Sequence, residues 1–348
     1  MRTIWEMVCL FGLSVFLALA GLRAAQGAEG PSGVPAGGPP AAAELPPLPE
    51  GDGLAAKHPE DIGIEGDPAV VFADGFENCS KSIDLRQKWN YLVWDENDRL
   101  ITDTPENVHG GKKAVEFALR QGGEAGHGAM RRFPQGYDVL FVRYYVKFDK
   151  DDDFYNSAHD GACIAALAPG FPPERPLSAG TRADGRNKFI VSLDTWRTRR
   201  MTPVPPAPGQ WLIYCYHPEQ RGRYGDNFYP EPKFLVERDR WYCCELMVKA
   251  NTVGQRDGRI AFWVDGKLKG DFAGLRLRDV DSLKINFLSI GFYIGNNRVR
   301  DNRMWFDDVV VATSYIGPIK PPDAREASGR TSGKPAEPAE TGAVRRSE

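Results

Sequence analysis

From Phe141 to Val311 the chain repeatedly alternates apolar and polar residues with a period of two, and this constrains its fold more than any other feature. Successive side chains of an extended strand point to opposite faces, so such a run buries one face and shows the other. In Phe141–Phe148, Val142, Tyr144, Val146 and Phe148 share one side, while Arg143, Tyr145 and Lys147 share the other. Lys188–Trp196 sets Phe189, Val191 and Leu193 against Lys188, Ser192, Asp194 and Trp196. In Trp211–His217, Ile213 and Cys215 oppose Tyr214 and Tyr216. Tyr242–Lys249, Arg259–Asp265, Asn286–Ile294 and Met304–Val311 read as further strands. Turn signals separate them at Pro205-Pro206, Asp257-Gly258, Asp265-Gly266 and Gly295-Asn296-Asn297. Long amphipathic helical patterns are nearly absent, and Val280–Leu283 suits a single turn. The pattern predicts an all-β chain, an antiparallel β-sandwich of two stacked sheets.

The non-core faces carry Tyr145, Trp196, Tyr214, Tyr216, Trp263 and Tyr293 among charged groups. A plainly solvated face favours Thr, Ser, Lys and Glu, so this composition predicts a curved sheet with a concave, ligand-binding face. The competing reading is an ordinary exposed face, since isolated surface aromatics are common.

Composition divides the chain of 348 residues. Residues 1–27 read as a signal peptide: Arg2, an apolar run from Val8 to Leu22, then Ala24-Ala25-Gln26-Gly27-Ala28 with cleavage after Gly27. The run is shorter than the roughly 20 residues of a membrane span. The reading is therefore a protein that is secreted, periplasmic or extracellular, with no membrane span after signal cleavage. Residues 28–64 read as a Pro/Gly/Ala-rich linker, 65–319 as one sandwich domain and 320–348 as a tail. A net charge of −3 argues against a nucleic-acid partner. Beyond Cys9, five cysteines remain (Cys79, Cys163, Cys215, Cys243, Cys244), an odd number that makes no disulfide framework and has no C-x-x-C pair. The sequence does not fix the oligomeric state.

The chain resembles the concanavalin A-like jelly-roll polysaccharide lyases, the alginate and glucuronan lyases. Phe72-Ala73-Asp74-Gly75-Phe76-Glu77 is similar to their first strand. Arg143-Tyr144-Tyr145-Val146-Lys147-Phe148, with the acidic residues and Phe154 after it, is similar to a central one. Trp241 to Asn251 with Asp257 to Gly266 looks like their hairpin, and Trp305 to Val309 with Tyr315-Ile316-Gly317-Pro318 like their last strand. The similarity spans roughly 70 to 318. It implies a jelly roll and a polysaccharide or other glycan as partner, one that contains uronic acid. Whether the chain cleaves that glycan by β-elimination or binds it as a non-catalytic lectin-like module stays open.

A lyase must neutralise the uronate carboxylate, remove the neighbouring proton and protonate the departing oxygen. The resemblance implies a lysine loop, then a serine and an arginine on the next strand, then a Tyr-x-Tyr pair. Tyr214 and Tyr216 match that pair and Ser192 the serine. Asp194 stands at the arginine position, and Asp160 to Leu167 matches the loop without its lysine. The catalytic candidates are thus Tyr214, Tyr216, His159 as substitute base, and Lys188 or Arg143 as positive charge. Ser192, Asp194, Trp196, Tyr145 and His217 are the substrate-binding candidates, Trp196 as a stacking ring. Hydrolysis has no Glu-x-Asp-x-x-Glu strand to support it. The resemblance also allows a structural Ca2+ ion. Asp149, Asp151 and Asp153 have the first spacings of a calcium loop but lack its glycine, and Glu77 with Asp307 is a second candidate pair.

Overall fold

The structure is a computed structural model describing residues 46–94, 100–121, 126–155, 158–170, 180–294 and 299–321. The signal-peptide segment, the start of the linker and most of the tail lie outside the described residues.

The alternating runs pair into two antiparallel sheets. The first is ordered β15 (Lys267–Leu275), β14 (Gly258–Val264), β13 (Trp241–Lys249), β6 (Val139–Phe148), β17 (Asn302–Ala312), β4 (Ala114–Leu119) and β3 (Ile101–Thr102), with β1 (Val70–Asp74) also paired to β17. The second is ordered β11 (Asp226–Phe228), β10 (Gly209–Tyr216), β9 (Lys188–Trp196), β8 (Ala162–Leu167), β16 (Ile285–Ile294), β5 (Gly126–Tyr137) and β2 (Tyr91–Val93). The short β12 (Leu235–Val236) adds to β10, and β7 (Ala158–His159) adds to the end of β16. Among the described residues, helical structure is confined to short 3₁₀ turns between Leu54 and Asn107.

Parity decides the core. Val142, Tyr144, Val146 and Phe148 of β6 meet Phe189, Val191 and Leu193 of β9 and Ile213 and Cys215 of β10 in one apolar layer between the sheets. Each fully buried side chain of this kind stabilises the fold by about 1.5–3 kcal/mol relative to leaving it exposed. A bulge corrects the parity of β17. Its register against β6 slips between Asp307 and Val310, and Asp308 takes φ 46°. Met304 and Phe306 point inward before the slip, Val309 and Val311 after it. All five described cysteines are buried and unbridged.

The outer face of the first sheet is covered by the chain itself. Gly51 donates to Gly266 at 2.8 Å, and Ala55 to Ile316 at 2.8 Å, lacing the stretch from 46 onward to the closing residues. Leu54, Ala55 and Ile64 pack with Phe141, Met247, Trp263 and Ile316 in a second apolar cluster. Residues from 46 onward, inside the stretch read from composition as linker, are thus part of the packed fold. The few apolar residues there suffice because the sheet offers them a ready patch.

Candidate functional site

The second sheet leaves part of its outer face open, and cross-strand register lines that face up. Tyr214 lies opposite Ser192, Ser192 opposite Cys163, Cys163 opposite Ser289, and Ser289 opposite Met130. One step along, Leu212 faces Asp194. The added strand β7 places His159 opposite Tyr293, at the end of the sheet where Asp194 emerges.

His159 Nδ1 sits 2.8 Å from Asp194 Oδ2. Asp194 is buried, whereas the His159 side chain is 48% exposed. The ring lies 5.2 Å from Tyr214 and 5.9 Å from Tyr293, nearly parallel to the latter. With the Asp194 carboxylate accepting from Nδ1–H, the lone pair of Nε2 is left for a ligand. Loss of hydration works against the imidazolium, but the Asp194 charge, its hydrogen bond and Asp160 outweigh this and raise the His159 pKa. Asp160 is itself buried. Its Oδ1 accepts from the Thr195 amide at 2.7 Å, and its Oδ2 accepts from the Thr195 hydroxyl. Burial, reinforced by Asp194, pushes Asp160 up to about 7 against those bonds and against His159.

Tyr214 is half-buried, and its hydroxyl accepts from the Gly225 amide at 3.0 Å. Burial, with Tyr216 beside it, raises the phenol above its ordinary range, so it keeps its proton at neutral pH. The Tyr216 ring stands edge-on to it at 5.5 Å but is itself buried, and its hydroxyl accepts from Gly180 at 3.1 Å. Tyr216 packs with Ala165, Leu167, Ile190, Phe287 and Ala183. Lys188 lies fully buried in the same region, its Nζ 4.7 Å from the Tyr216 ring, and burial pulls its pKa down to about 8. The face therefore has a covered end around Lys188 and Tyr216 and an open end around His159 and Tyr214. Ser192 is buried in the row between them. Trp196 is half-buried on the same side of β9, two residues beyond Asp194.

Three sequence candidates fall elsewhere. Arg143 and Tyr145 do alternate outward, but on the first sheet, beneath the terminal segments. Arg143 is fully buried and ion-paired with Asp61, and the Tyr145 hydroxyl accepts from Ile319 at 2.9 Å. Parity names a face, not which sheet it belongs to. His217 has the parity of Cys215, not of the tyrosines. It is buried against Phe228 with Nε2 3.2 Å from Asp226, a packing role. The stretch matched to a lysine loop, Asp160 to Leu167, contains the central strand β8. Trp263 belongs to the covered face too, donating to Pro49 at 2.8 Å.

The residues present do not fit a calcium cage. Asp149 accepts from its own loop's Asp151 amide, Asp151 pairs with Lys150, and Asp153 pairs with Arg197 at 2.6 Å. Glu77 is spent on the amides of Lys112 and Lys113, and Asp307 on those of His109 and Gly110. Among the described residues no three His, Cys, Asp or Glu side chains gather to hold a metal ion. Sequence reasoning missed Asp160 as a titrating neighbour and Gly225 as the amide that seats Tyr214. Asp160 follows His159 directly, but its burial against Thr195, 35 residues on, and the return of Gly225 onto Tyr214 across an eleven-residue separation leave no local signal.

No protein-family model and no curated protein matches the chain. Solved structures do. The alginate lyase Aly36B superposes with a TM-score of 0.53 at 17% identity, covering 71% of this chain and 98% of its own. The marine PL-14 alginate lyase from Aplysia kurodai gives 0.53 at 15% identity, covering 70% and 99%. Alginate lyase vAL-1 from Chlorella virus gives 0.50 at 14% identity, covering 71% and 100%. At these identities the likeness is one of fold: the chain is an antiparallel, concanavalin A-like jelly-roll sandwich, the architecture on which these alginate lyases are also built.

Proposed function

We propose that the open end of the second sheet takes a uronic-acid polysaccharide and cleaves it by β-elimination, with His159 as base and Tyr214 as acid. The observation that carries this reading is the half-exposed His159, oriented by buried Asp194 and set beside a phenol that retains its proton. Nε2 removes the proton next to the uronate carboxyl group. Those electrons form the new double bond as the bond to the glycosidic oxygen breaks, and the Tyr214 hydroxyl protonates that oxygen. Solvent then returns a proton to Tyr214 and takes one from His159. General acid–base catalysis of this kind contributes about 10²–10⁴-fold. The jelly-roll fold shared with alginate lyases supports the reaction class.

A lectin-like module is the second reading, and Asp194 favours it. A carboxylate stands where the family resemblance implies an arginine, and Lys188, the one cation on β9, is fully buried. Incubating the mature protein with alginate, glucuronan and pectin, and following the ultraviolet absorbance of unsaturated uronate ends, separates the two. The lyase reading expects product from at least one polymer and its loss in His159→Ala. Flat traces on every polymer, together with retained binding, leave the lectin reading in its place.

A further inference from the structure

Two loops meet beside the tyrosine pair, and among the described residues three of their arginines, Arg182, Arg221 and Arg223, pair with no carboxylate. Residues 180–187 are fixed by the Gly180 amide on the Tyr216 hydroxyl, and residues 218–225 by the Gly225 amide on the Tyr214 hydroxyl, at 3.1 and 3.0 Å. Gln220, fully buried, joins the two: its Oε1 accepts from Ala183 at 3.4 Å and its Nε2 donates to Gly222 and Tyr224, both at 3.0 Å. Arg182 reaches across to the Pro218 carbonyl at 3.4 Å. Arg223 and Tyr224 lie directly on Gly180: a β-carbon there would stand 2.8 Å from Arg223 Nη2 and 3.3 Å from Tyr224 Cε1. The guanidinium carbon of Arg223 is 5.0 Å from the Tyr224 ring, and Tyr224 is 48% exposed.

The acids of these loops are already engaged. Glu219 pairs with Arg256, with Arg276 4.0 Å away. Asp226 holds His217 and faces the Arg221 amide. Asp184 accepts the amides of Arg186 and Asn187. Among the described residues, Arg182, Arg221 and Arg223 therefore have no carboxylate partner. The whole chain has a net charge of −3, so this positive rim is a local feature, not part of a generally basic surface.

We infer that Arg223 and Tyr224 form a subsite for an acidic sugar at the edge of the open face, the guanidinium taking the carboxylate and the ring stacking on the pyranose. The planar guanidinium matches a carboxylate bidentately, and an exposed tyrosine offers an apolar face with a polar tip. Arg182 and Arg221 extend the positive rim and draw in a polyanion. The inference rests on the outer face being a glycan site, and it names an exposed cation, which β9 with its buried Lys188 does not supply.

The experiment is calorimetric titration of the full-length protein with a polyuronate oligosaccharide, its carboxyl-reduced counterpart and a sulfated neutral glycan. Wild type is expected to bind the polyuronate about 10- to 100-fold more tightly than the reduced form, with affinity falling as salt rises. Arg223→Gln is expected to remove most of that preference, Arg223→Lys to restore part of it, and Tyr224→Ala to weaken both sugars alike. Both positions are exposed, so thermal unfolding of the variants should match wild type. Polyuronate binding that is unchanged in Arg223→Gln and insensitive to salt overturns the subsite while leaving the His159 reading intact. Equal affinity for the sulfated glycan overturns the carboxylate assignment. A wild-type protein that binds no glycan overturns both proposals.

Discussion

On the outer face of the first sheet, Arg143 and Tyr145 alternate with core residues; on the second, Asp194, Tyr214 and Tyr216 do the same. The first face is then roofed by residues from 46 onward and by the closing segment, which turn its polar groups into internal ties. Arg143 meets Asp61, Glu245 accepts the amides of Ile316 and Gly317 at 2.8 Å each, and His109 stacks on Tyr145 at 3.5 Å. Among the described residues the second face is roofed at its Lys188–Tyr216 end, and its polar groups at the other end stand ready for something outside the chain. Identical strand patterns thus produce a structural polar layer in one place and a candidate site in the other. The difference is made by which segments fold back.

The largest effect that sharpens this contrast is expected from His159→Ala. Turnover of the cleaved polymer should fall by about 10²–10⁴-fold, and because buried Asp194 loses its partner, stability should also fall, by about 1–3 kcal/mol in urea unfolding. That stability loss with turnover by the molecules that remain folded near wild type would mean that the residue belongs to packing. On the roofed face the balance reverses. Asp61→Ala leaves the buried Arg143 without its partner and should cost about 3–5 kcal/mol in urea unfolding, while turnover by the molecules that remain folded stays near wild type.

Glu245 gives the roofed face a pH signature. Burial, opposed by the two amides and by Arg143, pushes its carboxyl up to about 7, from the ordinary value of 4.5. The folded state therefore holds the proton more tightly than the unfolded chain does. Its stabilising contribution is complete below pH 4.5 and is lost as pH rises through about 7. Glu245→Gln stays neutral, so it should flatten that decline, while lowering stability at every pH because its NH2 cannot accept one of the two amides. Denaturant midpoints across pH 4.5 to 8 check this. On the open face the pH effect should appear in the rate. The base form of His159 is needed and its pKa is raised, so kcat/KM should climb with pH at a midpoint above the ordinary imidazole value. Asp160→Asn removes a charge that favours the imidazolium and should move that midpoint to lower pH. The smallest effect is expected from Trp196→Ala at the strand end, about a 3- to 10-fold loss of glycan affinity if its ring stacks on sugar.

Much of the sandwich was legible because period-two alternation reports burial directly: the inward sets of β6, β9 and β10 are the core residues. The pairing of Tyr214 with Ser192 follows the strand register that such alternation requires. What alternation does not encode is which of two sheets an outward residue joins, and so Arg143 and Tyr145 read like site residues. Composition equally hid the roof. Residues 46–64 look like linker, yet Leu54, Ala55 and Ile64 are buried because Phe141 and Trp263 await them. His159 was visible only as a lone histidine. Its link to Asp194, 35 residues on, depends on β7 joining β16, a two-residue strand with no pattern of its own.

The account is tested most directly by a crystal structure of His159→Ala with a uronic-acid tetrasaccharide. It predicts the sugar chain over Tyr214 and Asp194 on the second sheet, with the bond to be broken beside the vacated imidazole position. An oligosaccharide bound only at the first sheet, or a protein that takes up none at saturating concentration, would contradict it.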